Sequence, residues 1–421
     1  MRPLADWLDQ QQKSHPSAID LDLTRVRSVA QRMGLLPPRY HVVTVAGTNG
    51  KGSTVAYLDA LFRGAGKHTG RFTSPHLVRY NERICIDGVE AADGDLIASF
   101  ERIDAARAST TLTFFEYNAL AALDLFTRAQ VGFAVLEVGL GGRLDATNIM
   151  DADVGIVCSI GLDHADWLGI SIEGIGREKA GIFRAGRPAI LGSEELPESV
   201  AAHATEVGAV TILRGRDYFC RLHGETWDFE SSALTLRALP LPALRGQHQA
   251  GNAANAIAAL VFGGLGVVLT HAAVSSALRA VRVAGRFQVV PGEIEWVFDV
   301  AHNVPAAQSL SASLESLPRR RTLAVCGILG DKDIRGITAT LAPNVDEWFI
   351  AALAGPRAIS TAELVACLPR GAQVSLQAAD VDAACRAAQA AAKPGERILV
   401  FGSFLTVGPA LEFLGPEVVR L

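Results

Sequence analysis

Val42-Val43-Thr44-Val45-Ala46-Gly47-Thr48-Asn49-Gly50-Lys51-Gly52-Ser53-Thr54 is a run of β-branched and small apolar residues that ends in three glycines set around one lysine. Its first five residues predict a short buried strand, and Val55, Leu58, Leu61 and Phe62 then recur at helical spacing. Strand, glycine loop and helix together form the setting of a phosphate cradle. Backbone N–H groups and the positive helix start hold phosphate oxygens, and Lys51 brings a point charge to the β- and γ-phosphates. The Walker spacing G-x-x-x-x-G-K-[ST] is not met. Val45 stands where its first glycine belongs, and Gly52 separates Lys51 from the hydroxyl of Ser53.

A chain of 421 residues has room for two or three domains at roughly 150 residues each. Hydrophobic residues make up 49% of it and charged residues 20%, a globular balance without the signature of disorder. The net charge of −5 argues against a nucleic-acid or membrane-surface partner, since either leaves a basic footprint. No apolar core of a signal peptide stands before Leu23, so no export is expected. The longest apolar stretch, Ala256 to Leu269, is short for a membrane span and is broken by Gly263, Gly264 and Gly266, which predicts a buried helix and the turn after it. Six cysteines stand singly with no C-x-x-C pair. They read as small core residues of a reducing, cytoplasmic protein.

Along the chain, residues 1–40 are helical in pattern, with the turn around Asp20 and Leu21 placed to reach a ligand. Ser74-Pro75-His76 reads as a loop beside the phosphate site, because Pro75 cannot continue the preceding strand. Thr113-Phe114-Phe115-Glu116 joins two aromatics to a carboxylate at a helix start, either as core or as a ligand surface. Phe133 to Gly139 is a buried strand carrying Glu137, where an ionised group is costly unless it meets a metal or a cation. Gly139-Leu140-Gly141-Gly142-Arg143-Leu144 fails as a dinucleotide fingerprint, since the third glycine falls on Leu144. A further strand ends at Gly161-Leu162-Asp163-His164, and in parallel α/β sheets ligands gather beyond such strand ends, with Lys51, Glu137 and His164 on one edge. Helical pattern over Ile172 to Phe183 leaves Lys179 as an ordinary solvated charge. Residues 186–240 read as strands and polar turns. Asn252 and Asn255 stand at the entrance of the apolar helix, as caps or readers of a base. Beyond Arg286, strands and helices alternate again, predicting a second parallel doubly wound domain with polar strand ends at Asp299-Val300-Ala301-His302-Asn303 and Gly330-Asp331-Lys332-Asp333.

Taken in order, Gly47-Thr48-Asn49-Gly50-Lys51-Gly52-Ser53, Ser74-Pro75-His76-Leu77, Leu136 to Asn148, Gly161-Leu162-Asp163-His164, Glu178-Lys179-Ala180-Gly181, Gly285-Arg286-Phe287 and Asp299 to Asn303 resemble the folate branch of the Mur ligase superfamily, the bifunctional dihydrofolate synthase/folylpolyglutamate synthases. The resemblance spans nearly the whole chain and accounts for the altered cradle. It implies a P-loop Mur-ligase-like nucleotide-binding domain over residues 1–284, carrying a pterin pocket, and a smaller Rossmann-like doubly wound α/β domain over residues 285–421. It also implies an ATP-dependent ligase that activates a carboxylate as an acyl phosphate and joins it to the amine of L-glutamate, with dihydropteroate and tetrahydrofolates as acceptors. A phosphate leaving group makes a poor electrophile a good one.

The roles follow by position. Thr48, Asn49, Gly50, Lys51, Gly52 and Ser53 match the family's phosphate contacts, and Asn252, Arg286 and Asp299 its other ATP contacts. Ser74, Glu137 and His164 match its Mg²⁺ ligands; Ser53, the choice of generic phosphate-loop logic, ranks behind Ser74. Lys179 matches a lysine that the family carbamylates, which reverses the bland reading of it. Lys51, His164, Lys179 and His302 are the catalytic candidates. Asp20, Leu21, Thr113, Phe114, Phe115, Glu116, Leu144, Asp145 and Ala146 match the pterin pocket. The family places Pro directly after its Asp-x-Ala-His-Asn, whereas Val304 intervenes here before Pro305. ATP contacts on both domains imply closure on binding, and a monomer is expected. A synthase limited to one of the two folate activities, a Mur ligase of other substrate and a phosphate-loop ATPase or switch are the rival readings; glutamate-dependent ADP release separates the ATPase from a ligase.

Overall fold

The computed structural model describes residues 2–163 and 165–419. The opening stretch forms strand β1 (His41–Ala46) and the helix Lys51–Gly64. Val43 and Val45 of β1 face one apolar cluster and Val42 faces another, so both sides of the strand are covered, as an unbroken apolar run requires. Seven more strands join it: β2 (Thr69–Phe72), β3 (Ile84–Ile86), β4 (Val89–Glu90), β5 (Phe133–Glu137), β6 (Val154–Val157), β7 (Pro188–Leu191) and β8 (Val210–Leu213). The order is β4-β3-β2-β5-β1-β6-β7-β8, parallel except for the β2–β3 and β3–β4 pairs.

Val45 of β1 sits opposite Glu137 of β5 and Ile156 of β6. That register lines up the carboxyl ends of three strands, and the loops carrying Thr48, Gly139 and Ser159 leave the sheet together. Helices Lys51–Gly64 and His248–Phe262 cover one face, where Phe62 stacks on Phe133 with ring centroids 4.5 Å apart. Helices Leu4–Gln12, Leu23–Arg32, Asp93–Arg107 and Phe114–Arg128 cover the other. The apolar run from Ala256 lies in the His248–Phe262 helix and the turn after it.

Between residues 186 and 240 the strand reading needs correction. The helix Glu198–Glu206 lies between β7 and β8, burying only Val200 and Ala204. After β8 comes a separate antiparallel meander of β9 (Tyr218–His223), β10 (Thr226–Ser231) and β11 (Thr235–Pro240).

The second sheet contains β12 (Gln288–Val290), β13 (Glu295–Asp299), β14 (Thr322–Cys326), β15 (Glu347–Ala351), β16 (Val374–Ala378) and β17 (Arg397–Phe401), in the order β12-β13-β17-β14-β15-β16. All its pairs are parallel except β12–β13, an antiparallel edge too short to show in the sequence pattern. Side chains alternate across β13, with Trp296 and Phe298 in one apolar cluster and Val297 in the other. Val304 is absorbed without disturbance. Asn303 caps the helix Val304–Glu315, and Pro305 falls in its first turn, where a missing N–H costs nothing.

Candidate active site

The cradle is tied to the end of β6. Thr48 N donates to Ser159 O at 2.8 Å, Thr48 Oγ1 and Gly161 exchange hydrogen bonds at 3.1 and 3.0 Å, and Asn49 N donates to Ser159 Oγ at 3.0 Å. Gly50, at φ +85°, starts the Lys51–Gly64 helix. A Cβ there would lie 2.6 Å from Asn252 Oδ1, so the Asn252 amide reaches the loop from the neighbouring His248–Phe262 helix. Lys51 Nζ donates to the carbonyls of Gly47 and Thr48 at 2.9 and 3.2 Å, which holds the ammonium over the turn.

Glu137, at the end of β5, is 4% exposed. Burial pushes its carboxyl up, and the charges of Lys51 and Arg286 pull it back. Ser74 N donates to its Oε2 at 3.3 Å, and Ser53 is buried in the first turn of the cradle helix. A hard divalent cation fits this donor set: one buried carboxylate, with the oxygen-bearing side chains of Ser74 on the loop that touches it and of Ser53 in the first turn of the cradle helix. Among the described residues no group of three His, Cys, Asp or Glu could hold a metal by itself, so phosphate oxygens and water would complete the shell. His164, the expected imidazole ligand, lies outside the described residues. Lys179 is buried, not the surface charge that helical spacing alone suggests. Burial, reinforced by the charge of Lys51, lowers its ammonium to about 7.

The second domain supplies the facing wall. Asp299 accepts from Phe287 N and Ala301 N, each at 2.8 Å, and burial raises its carboxyl against the pull of Arg286. The Arg286 guanidinium lies 5.5 Å from the Phe404 ring centre. His302 Nδ1 donates to Val300 O at 2.8 Å, which fixes the tautomer and leaves Nε2 facing Asp163 Oδ2 at 3.5 Å. Lys332 Nζ reaches the other oxygen of Asp163 at 2.5 Å.

Three cavities meet here. A chamber of about 100 Å³ is walled by the cradle, Glu137, Lys179, Arg286 and His302. A second cavity of about 320 Å³ opens from it past Ser53, Asn252, Arg286 and Asp299. On the other side lies a cavity of about 630 Å³ with a mostly apolar lining, which includes Asp20, Leu21, Thr113 to Glu116 and Leu144 to Ala146, together with Ser74 and His302. Every residue given a role by the family resemblance, His164 apart, therefore lies on one of these three walls, whereas Asn255, the other amide offered as a reader of a base, is buried off them and accepts from Tyr218 Oη at 2.8 Å.

Two carboxylates in the large cavity are engaged locally. Asp145 accepts from the N–H groups of Gly139, Leu140 and Thr147. Glu116 closes a capping box with Thr113 and lies 3.3 Å from Arg25.

Sequence reasoning missed three cations on the large cavity: Arg83, Lys332 and Arg357. Arg83 is 7% exposed and has no carboxylate at ion-pair distance among the described residues. Its Nε donates to His76 Nδ1 at 2.8 Å, and its guanidinium lies 5.5 Å from the Phe114 ring centre. Burial lowers its pKa, and burial with the Arg83 charge brings His76 down to about 4, a neutral acceptor. Lys332 was foreshadowed by the polar strand end Gly330 to Asp333; nothing in the sequence marks Arg83 or Arg357.

Comparison with known proteins places this geometry. The family model described as Mur ligase middle domain matches residues 45–260, and that described as Mur ligase, glutamate ligase domain, matches residues 285–404. A dihydrofolate synthase/folylpolyglutamate synthase of Escherichia coli is 46% identical over 413 residues, 98% of this chain and 96% of its own length. One from Mycobacterium tuberculosis is 34% identical over 82% of this chain and 77% of its own length. Among solved structures, E. coli FolC in complex with DHPP and ADP superposes with a TM-score of 0.93 at 45% identity, covering 100% of this chain and 99% of the other. A bifunctional folylpolyglutamate synthase/dihydrofolate synthase from Yersinia pestis, complexed with AMPPNP and Mn ion, gives 0.91 at 42% identity, with 99% of each chain covered. With a cradle, a facing ligase domain and relatives of this closeness along its whole length, the chain belongs to the dihydrofolate synthase/folylpolyglutamate synthase family of ATP-dependent Mur ligases.

Proposed function

We propose that the chain joins L-glutamate to dihydropteroate, forming dihydrofolate, and to tetrahydrofolates, extending their glutamate tails, with release of ADP and phosphate. The observation that carries this reading is the polar chamber set between a nucleotide-sized cavity and a larger apolar one. Such a chamber brings a γ-phosphate and an acceptor carboxylate together and little else.

ATP takes the cavity past Asn252 and Asp299, with its phosphates on the N–H groups from Thr48 to Ser53. Lys51 exchanges its two carbonyl partners for phosphate oxygens. The pterin or pteroyl ring packs between Leu21, Phe114, Phe115 and Leu144. Arg83, a buried fork with no carboxylate at ion-pair distance among the described residues, takes the acceptor carboxylate. The carboxylate attacks the γ-phosphorus, giving an acyl phosphate and ADP. The amine of L-glutamate then attacks the acyl carbon, loses a proton to His302 Nε2, and expels phosphate. Lys51 and Arg286 meet the negative charge that builds on the way.

Glu137, Ser74 and Ser53, with His164 by resemblance, would hold Mg²⁺, which when bound neutralises phosphate charge. Lys179 is held as its neutral amine for much of the time near pH 7. In that form it adds to carbon dioxide, forming an N–C bond and releasing a proton, and the resulting carbamate turns a cation into an anion beside the metal site.

The domain division at 284/285 belongs to the same proposal, supported by the restart of strand and helix alternation after Arg286. So do a monomeric state, supported by a site whose walls come from one chain, and cytoplasmic residence. No helix among the described residues is long and apolar enough to cross a membrane.

The test is ADP release with Mg-ATP and L-glutamate, comparing dihydropteroate with tetrahydrofolate, with Lys51→Ala as the blank. Turnover with both acceptors is expected, and Arg83→Gln should raise the acceptor KM about tenfold or more through loss of a charge-assisted pair. Turnover with one acceptor would halve the function, and hydrolysis indifferent to glutamate would sink the ligase reading.

A further inference from the structure

The phosphate cradle and the second domain meet through two side-chain amides. Asn49 Nδ2 donates to Asn303 Oδ1, and Asn303 Nδ2 donates to Asn49 Oδ1, both at 3.1 Å. Asn303 Oδ1 also accepts from Ala306 N at 3.0 Å, as the cap of the Val304–Glu315 helix. A backbone N–H can only donate, so this contact fixes which end of the Asn303 amide is oxygen and aims its NH₂ group at Asn49. On the cradle side, the backbone of Asn49 exchanges hydrogen bonds with Ser159 Oγ, each at 3.0 Å. Asn303 is buried. Pro305 and Ala306, on the helix it caps, line the nucleotide cavity, and His302 beside it lines the central chamber.

We propose that Asn303 is a positioning residue for ligation: its amide pair with Asn49 holds His302 and the Val304–Glu315 helix start in register with the phosphate cradle while phosphate transfer and amine attack take place. This rests on the ATP-driven ligation set out above. The γ-phosphate is fixed by the first domain and the second step is assisted from the second, so an error of about 1 Å between them costs rate in both. Amides suit the task. They add no charge beside the phosphates, they pair reciprocally in a single register, and they part without stranding a buried ion when the domains open.

A double-mutant cycle with Asn49→Ala and Asn303→Ser tests this, read as kcat for glutamate-dependent ADP release and as the share of ADP formed without amide product. Serine keeps a capping hydroxyl but is too short to reach Asn49. Asn303→Ser is expected to lower kcat about tenfold, with melting unchanged and a larger share of ATP spent without amide formation. The double variant should be no slower than Asn49→Ala alone. Losses that multiply in the double variant, or an Asn303→Ser kcat within about twofold of the parent, would overturn the inference. Should Asn303→Ser melt early, Asn303→Asp replaces it. That variant keeps the cap and one bond but turns a second acceptor on Asn49 Oδ1, so the same loss is expected, and parental kcat overturns the inference equally. Absence of amide formation by the unmodified chain would remove the ligase reading itself, a separate outcome.

Discussion

Lys179 shows how a residue's chemistry is set by what surrounds it. Its amine is buried beside the cradle, near enough to Lys51 for the second positive charge to oppose its own. Burial and the Lys51 charge bring its ammonium down from the ordinary lysine range to about 7, so the neutral amine prevails above about pH 7, and protonation takes over as pH falls through that point. Carbamate formation follows the neutral form. With labelled bicarbonate, carbon-13 NMR should show a carbamate resonance at pH 8 that fades towards pH 6 and is absent from Lys179→Met. Activity should fall over the same window; a flat profile with no resonance would remove the carbamate from the mechanism. None of this was legible from helical spacing, because the groups that bury and repel Lys179 come from other segments. Lys51 itself was legible, since strand, glycines and helix stand in one unbroken stretch. Arg83 was not, because its meaning lies in its burial, in the lack of a carboxylate at ion-pair distance among the described residues, and in the adjoining cavity.

At the scale of elements, Lys179 is placed by a glycine. The loop after β5 packs backbone to backbone on the end of the Ile172–Ala180 helix: a Cβ on Gly142 would lie 2.8 Å from Lys179 O and 2.9 Å from Glu178 O. Arg143 N donates to Glu178 O at 2.9 Å, and Asn148 Nδ2 to Gly181 O at 3.1 Å, fastening the two. Gly142→Ala must push the helix away and carry Lys179 with it. A loss of about 1–3 kcal/mol in unfolding free energy is expected, together with a fall in kcat, measured by denaturant titration and the ligation assay. Gly94→Ala, with open space inside the Asp93–Arg107 helix, is the control and should be neutral or slightly stabilising. The glycine-rich run Gly139 to Gly142 thus reads as close packing rather than dinucleotide binding. The strands that position the site were legible from their apolar runs. The Glu198–Glu206 helix was not, because two small buried residues carry little periodic signal.

For the whole molecule, the site exists because two sheets face each other. The Ser74–Leu77 loop of the first domain is covered by the helix Phe404–Leu414 of the second, so closely that a Cβ on Gly408 would lie 2.2 Å from Leu77 O. Apposition of the domains brings Arg286, His302 and Phe404 over Lys51 and Glu137 and walls in a chamber too small for much besides the reacting groups. Alternation along the chain foretold both sheets and the polar strand end that carries His302, and the family resemblance added Arg286. It could not foretell the pairing of Asn49 with Asn303 or of Asp163 with Lys332, since contacts between domains leave no period in the sequence. A narrow chamber of this kind, once the two substrates fill the cavities on either side, suits a labile acyl phosphate, which water would otherwise destroy. The direct test is to label the acceptor carboxylate with oxygen-18 and follow the label during ligation. Transfer of one labelled oxygen to the released phosphate for each amide formed is expected; amide formation with unlabelled phosphate would contradict activation through an acyl phosphate.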